Sequence, residues 1–86
     1  MLKLKYVRRK NAPYLNKWEG ETYEGHYVII RIKDECLDVR IAPSYESFVC
    51  SGCRTIFRAD SSIPNNILIE TEEILKYLDI TVDEIK

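Results

Sequence analysis

The sequence predicts a small, mainly β domain of the α+β kind, a five-stranded barrel or curled antiparallel sheet with one C-terminal helix. Three observations carry that expectation. Leu2, Leu4 and Tyr6 alternate with Lys3 and Lys5, the period-2 signature of a half-buried strand. If the chain folds back at Asp34-Glu35, then Val28, Ile30 and Ile32 fall opposite Ile41, Val39 and Leu37 and form one wholly apolar face. Helical periodicity behind a capping signal runs from Thr71 onward. A chain of 86 residues has room for one small core, so 1–86 is read as a single domain.

The first strand spans about 2–9 and ends at Lys10-Asn11-Ala12-Pro13, where Pro13 disfavours a helical Ala12. From Tyr14 to Gly25, aromatics, charges and two glycines mix without a period, which reads as a long loop or irregular hairpin. In the hairpin that follows, Arg31 sits opposite Asp38 on the polar face. Asp-Glu is a poor tight-turn pair, and a four-residue loop over 33–36 would keep the same register. Pro43 ends that hairpin. Phe48-Val49-Cys50 and Cys53-Arg54-Thr55-Ile56-Phe57, around Ser51-Gly52, read as a second one, and 60–66 reads as loop. Ile67-Leu68-Ile69 is a fifth strand or the lead-in to the helix. Thr71 is the expected N-cap, with Glu72 and Glu73 complementing the helix dipole and Ile74, Leu75 and Leu78 on one face. Thr81-Val82-Asp83-Glu84 has the form of a capping box, with at most one turn to follow.

Leu, Ile, Val and Phe make up 25 of the 86 residues, too many for a disordered chain. The longest apolar run, Tyr27-Val28-Ile29-Ile30, is far below the ~20 residues of a membrane span. Met1-Leu2-Lys3-Leu4-Lys5 does not lead into the apolar stretch of a secretory signal. Three cysteines, an odd count, fit a reducing compartment, so a cytoplasmic protein is expected. The net charge of −1 conceals a division: residues 1–18 carry six cations and no acid, and the remainder is −7.

Lys5-Tyr6-Val7, then Tyr14-Leu15, then Trp18-Glu19-Gly20-Glu21-Thr22-Tyr23-Glu24 and the apolar strand after it resemble small SH3-like barrels of the form K-Y…L-x-K-G-x-x-Y-E-V. Such barrels are common among short phage and bacterial proteins. The likeness covers about half of the chain; Trp18-Glu19 stands where that form has a basic residue before the glycine. It implies a binding module for proteins or nucleic acids, with no fixed function.

No catalytic constellation is present: the serines lack a G-x-S-x-G elbow, no Gly-rich loop precedes a helix, and His26 has no partner at motif spacing. The expected function is therefore a non-catalytic protein-interaction or regulatory module, possible as a homodimer and without a membrane role. Its candidate contacts are Tyr14, Trp18 and Tyr23, because Tyr and Trp combine apolar area with a polar tip. Trp18 as the largest core residue is the competing assignment. The alternative function is nucleic-acid binding through Lys3, Lys5, Arg8, Arg9, Lys10 and Lys17. Cys50-Ser51-Gly52-Cys53 is similar to one knuckle of a zinc ribbon, half of a four-ligand site, for which only Cys36 and His26 remain as further ligands; a reducible disulfide or plain buried or half-buried thiols are the alternatives, and no cofactor is expected.

Overall fold

Alternating apolar positions resolve into six strands of one sheet. The computed structural model describes residues 2–10, 16–49, 52–60 and 67–86. In chain order these are β1 (Leu2–Arg9), β2 (Lys17–Thr22), β3 (Tyr27–Lys33), β4 (Cys36–Ala42), helix α1 (Tyr45–Val49), β5 (Arg54–Asp60), helix α2 (Thr71–Tyr77) and β6 (Ile80–Val82). The strand order is β5-β4-β3-β2-β1-β6. The first five strands form an antiparallel meander, and β6 joins the far edge parallel to β1. The sheet curls strongly into a half-barrel, so the chain is a small, mainly β, α+β domain as expected.

Its inner face is apolar. Leu4, Val7, Trp18, Val28, Ile30, Ile32, Leu37 and Val39 are buried there against Ile74, Leu75 and Leu78 of α2 and against Ile80. The 28–41 hairpin adopts the expected register, with Ile32 opposite Leu37, Ile30 opposite Val39, Val28 opposite Ile41 and Arg31 opposite Asp38. Lys33 pairs with Cys36, so the turn is the two-residue Asp34-Glu35 and not the four-residue loop. Both turn residues take positive φ, 53° and 60°, which matches the right-handed twist of the flanking strands.

Several expectations need correction. Within 14–25, residues 17–22 are a strand, because Trp18, Gly20 and Thr22 face inward and Lys17, Glu19 and Glu21 outward on the same alternation. Tyr6 leaves the inner face that Leu2 and Leu4 share. The β1–β2 register shifts between Leu4 and Tyr6, which places Lys5 and Tyr6 outward and Val7, fully buried, inward. The strand expected over 48–50 is helix at Phe48 and Val49, while Cys50 and Ser51 lie outside the described residues. After Pro43, the Ser44 hydroxyl accepts from the Ser47 N–H and starts α1, setting Tyr45 and Phe48 edge-on against Tyr27 at 5.2 and 5.1 Å. The N-cap of α2 is Glu70 and not Thr71, whose hydroxyl accepts from Trp18 Nε1 at 3.0 Å. Ile67-Leu68-Ile69 is lead-in and not strand. In place of a further turn of helix, 80–82 forms β6.

Candidate functional site

The outer face of the sheet is open and charged. Because strand neighbours are fixed by register, its side chains fall into rows crossing the strands. One row runs Arg8, Glu19, Ile29, Arg40, Thr55. The next runs Lys17, Arg31, Asp38, Arg58, extended onto the end of β1 by Lys10, whose N–H bonds the Lys17 carbonyl. Lys33, Cys36 and Asp60 form the row at the hairpin end; Lys5 with Tyr6, Glu21, Tyr27 and Ala42 form the row at the opposite end. With Lys3 these rows hold nine cations against Glu19, Glu21, Asp38 and Asp60, a net +5 in a chain of −1. The segment from Glu70 to the end carries six acids against Lys76 and Lys86, and the acids of α2 lie on the other side of the sheet.

Two buried carboxylates organise the cations. Glu19, 5% exposed, accepts from Arg8 Nε at 2.5 Å and from the Tyr27 hydroxyl at 2.8 Å, with Lys10 Nζ 3.4 Å away. Burial by itself raises the Glu19 carboxyl, but the hydrogen bonds from Tyr27 and Arg8 and the Lys10 charge outweigh it and hold the carboxyl below its ordinary range. Burial, then donation to Glu19, pushes the Tyr27 phenol well above its ordinary value. Asp38 accepts from Arg31 Nε at 3.2 and 3.3 Å and has Arg40 Nη2 at 3.9 Å. Arg58 Nε donates to Cys36 Sγ at 3.3 Å. Arg8, Arg31 and Arg58 are thus each anchored through Nε, and among the described residues their Nη groups have no acceptor. A guanidinium held this way keeps its two-pronged donor edge for an anion.

Of the six N-terminal cations, five belong to this face. Lys5 pairs with Glu21 at 3.0 Å and Lys3 lies 5.6 Å from the Tyr23 ring centre. Arg9 is turned inward by the β1 irregularity; it stacks on Trp18 at 4.6 Å and donates to the Ile69 carbonyl. Arg31, Lys33, Arg40 and Arg58 were missed by reading the N-terminal segment alone. The period-2 alternation of the two central strands was the signal for the first three, and Arg58 is aligned with them only by the β4–β5 register.

Trp18 is fully buried and fills the core position weighed against its use as a contact. Tyr14 lies outside the described residues. Tyr23 is 52% exposed in the β2–β3 turn; Tyr45 and Val49 of α1, at the same end of the sheet, are 56% and 59% exposed. Cys36 and Cys53 are free thiols at opposite ends of the β4–β5 ladder, and Cys50 lies outside the described residues. His26 lines a shallow cleft of about 240 Å³ with Ile41, Ala42, Pro43, Gly52 and Arg54, at the end away from Cys36. Four-ligand zinc binding through both Cys36 and Cys53 does not fit this separation, and among the described residues no three His, Cys, Asp or Glu side chains are grouped to hold a metal. No described helix is long and apolar enough to cross a membrane. The chain matches no protein-family model, no curated protein and no solved structure.

Proposed function

We propose that the chain is a non-catalytic binding module that holds a nucleic acid by its phosphates on the open face of the sheet. The observation that carries this reading is the net +5 of the strand rows on that face, where arginines anchored through Nε leave their Nη donors without an acceptor among the described residues. Cations ordered by buried carboxylates lose little entropy on meeting a phosphate. The test is fluorescence anisotropy with labelled single-stranded and duplex oligonucleotides of about 20 nucleotides at about 50 and about 200 mM salt. Three neutralised phosphates on a single strand predict roughly 20-fold weaker binding at the higher salt. Absence of binding at the lower salt overturns the reading.

A protein-interaction module is the second reading, favoured by exposed Tyr23, Tyr45 and Val49 at the end of the sheet that carries α1. It loses support if wild-type and Tyr23→Ser/Tyr45→Ser baits recover the same proteins. Likeness to SH3-like barrels stays part of the proposal, supported by the five-stranded antiparallel meander and the curl of the sheet. The parallel β6 edge has no counterpart in the motif that suggested it.

A further inference from the structure

We infer that the outer face binds the terminal phosphate of a nucleic-acid strand at one point, among Arg31, Arg40 and Arg58 around Asp38. This rests on the nucleic-acid reading above and names the group that is held and the side chains that hold it.

Strand register builds the cluster. Asp38 of β4 lies directly opposite Arg31 of β3 on one side and Arg58 of β5 on the other, and Arg40 follows two residues later on the same face. The Asp38 carboxylate accepts from Arg31 Nε at 3.2 and 3.3 Å and has Arg40 Nη2 at 3.9 Å, while Arg58 Nε is turned to Cys36 Sγ. Three guanidiniums therefore share one carboxylate. Asp60, the next acid along this face of β5, falls in the row that also holds Lys33.

Unused bonding capacity, and not net charge, singles out this point. The outward positions of β1 carry Lys3, Lys5, Arg8 and Lys10 with no acid, but they are strung along seven residue steps, about 23 Å. Each is also engaged: Lys5 by Glu21, Arg8 and Lys10 by Glu19, and Lys3 by the Tyr23 ring. Arg40 differs from all of them. Its Nε is buried without an acceptor, and Nη2 stands beyond hydrogen-bond distance from Asp38. A guanidinium only 32% exposed that makes no hydrogen bond carries a desolvation cost that nothing in the chain offsets. An anion seated over Asp38 supplies the missing acceptor once the Arg40 side chain turns its donors outward.

The number of donors selects the anion. An internal phosphodiester presents two free oxygens and one charge, whereas a terminal phosphate presents three and carries roughly −1.5 to −2 at neutral pH. Three guanidiniums can thus each take one oxygen of the terminal group, and their excess of two charges over Asp38 is close to the charge it brings.

The experiment measures anisotropy of internally labelled oligothymidylates of about 10 nucleotides that end in a 5′-phosphate, a 3′-phosphate or hydroxyls only, at about 100 mM salt. Wild type is expected to bind a phosphorylated strand about tenfold more tightly than the hydroxyl strand. Arg40→Gln, which gives up no hydrogen bond of the free protein, should reduce that preference to about twofold or less. Lys3→Gln/Lys5→Gln should weaken all three strands and keep the preference. Equal binding of the three strands by wild type overturns the terminal-phosphate site while the nucleic-acid reading stands, and a preference that survives Arg40→Gln overturns its placement. Failure of all three strands to bind overturns the underlying reading, also where a phosphothreonine peptide binds in their place. Shift mapping of backbone amides and arginine Nε–H groups on the unmodified protein makes the test independent of variant folding. Thymidine 5′-monophosphate should move Arg31, Asp38, Arg40 and Arg58; equal shifts with thymidine, or shifts confined to the Tyr23 end, overturn the inference.

Discussion

Asn16, 1% exposed, holds the segment leading into α2 to the sheet. Its Oδ1 accepts from the Ile69 N–H at 2.9 Å, its Nδ2 donates to the Ile67 carbonyl at 2.5 Å, and its own carbonyl accepts from the Ile32 N–H. Asn16→Ala leaves both backbone groups of the lead-in without that partner, at a cost of about 3 kcal/mol. Urea unfolding measures this, and a loss below about 1 kcal/mol would show that water replaces the amide. Glu19 makes a pH prediction. Its folded-state pKa lies below the unfolded value, so its contribution is present above the ordinary carboxylate range and is lost as pH falls through the folded pKa. Tyr27 is raised, so its contribution is intact below the ordinary phenol range and is lost as pH climbs through its folded pKa. Melting temperature should therefore fall on both limbs, and Glu19→Gln should flatten the acid one; an unchanged acid limb would place the transition on other carboxylates.

At the scale of elements, the irregularity in β1 decides the most. It carries the Tyr6 carbonyl over β2, so a Cβ on Gly20 would stand 2.6 Å from that oxygen and 3.0 Å from Leu4 Cδ1. Gly20→Ala is expected to cost about 2 kcal/mol, and a neutral result in chemical denaturation would mean that β1 shifts freely. The Asp34-Glu35 turn works in the opposite sense. Glu35 at φ 60° pays the left-handed penalty of a side chain, so Glu35→Gly should stabilise by about 1 kcal/mol, read as a higher thermal midpoint. The hairpin register was legible because six apolar positions agree on it, whereas the turn type was not, because Asp-Glu lacks the glycine that marks such turns. α1 was illegible as helix: five residues supply too little periodicity, and Phe48-Val49 reads equally well as strand. The Ser44 cap after Pro43 was the available signal.

Across the whole molecule, β6 turns the C-terminal segment into an edge of the sheet. Ile80 pairs with Leu2 and Val82 with Leu4, and the Val7 N–H bonds the Glu84 carbonyl. Removing 80–86 should lower stability by about 3 kcal/mol, because buried Ile80 is lost and the β1 edge is uncovered; a melt like that of the full chain would make β6 an ornament. The same topology separates charge by face: cations on the convex side of the sheet, acids on α2 beyond the core. The N-terminal basic cluster could be read from the chain, but not that Arg9 leaves it for Trp18 or that Arg58 joins it from about 40 positions away, since both depend on register.

By itself the sequence determined what local pattern can determine. It specified a mainly β chain, the 2–9 strand, the pairing of 28–32 with 37–41 and the one longer helix, because each rests on periodicity within a few residues. Tertiary structure decided the β1 irregularity, the parallel β6, the burial of Trp18 and the arrival of Arg58 beside Asp38. Those features depend on which strand lies beside which and in what register, and that is settled by packing between segments distant in the chain.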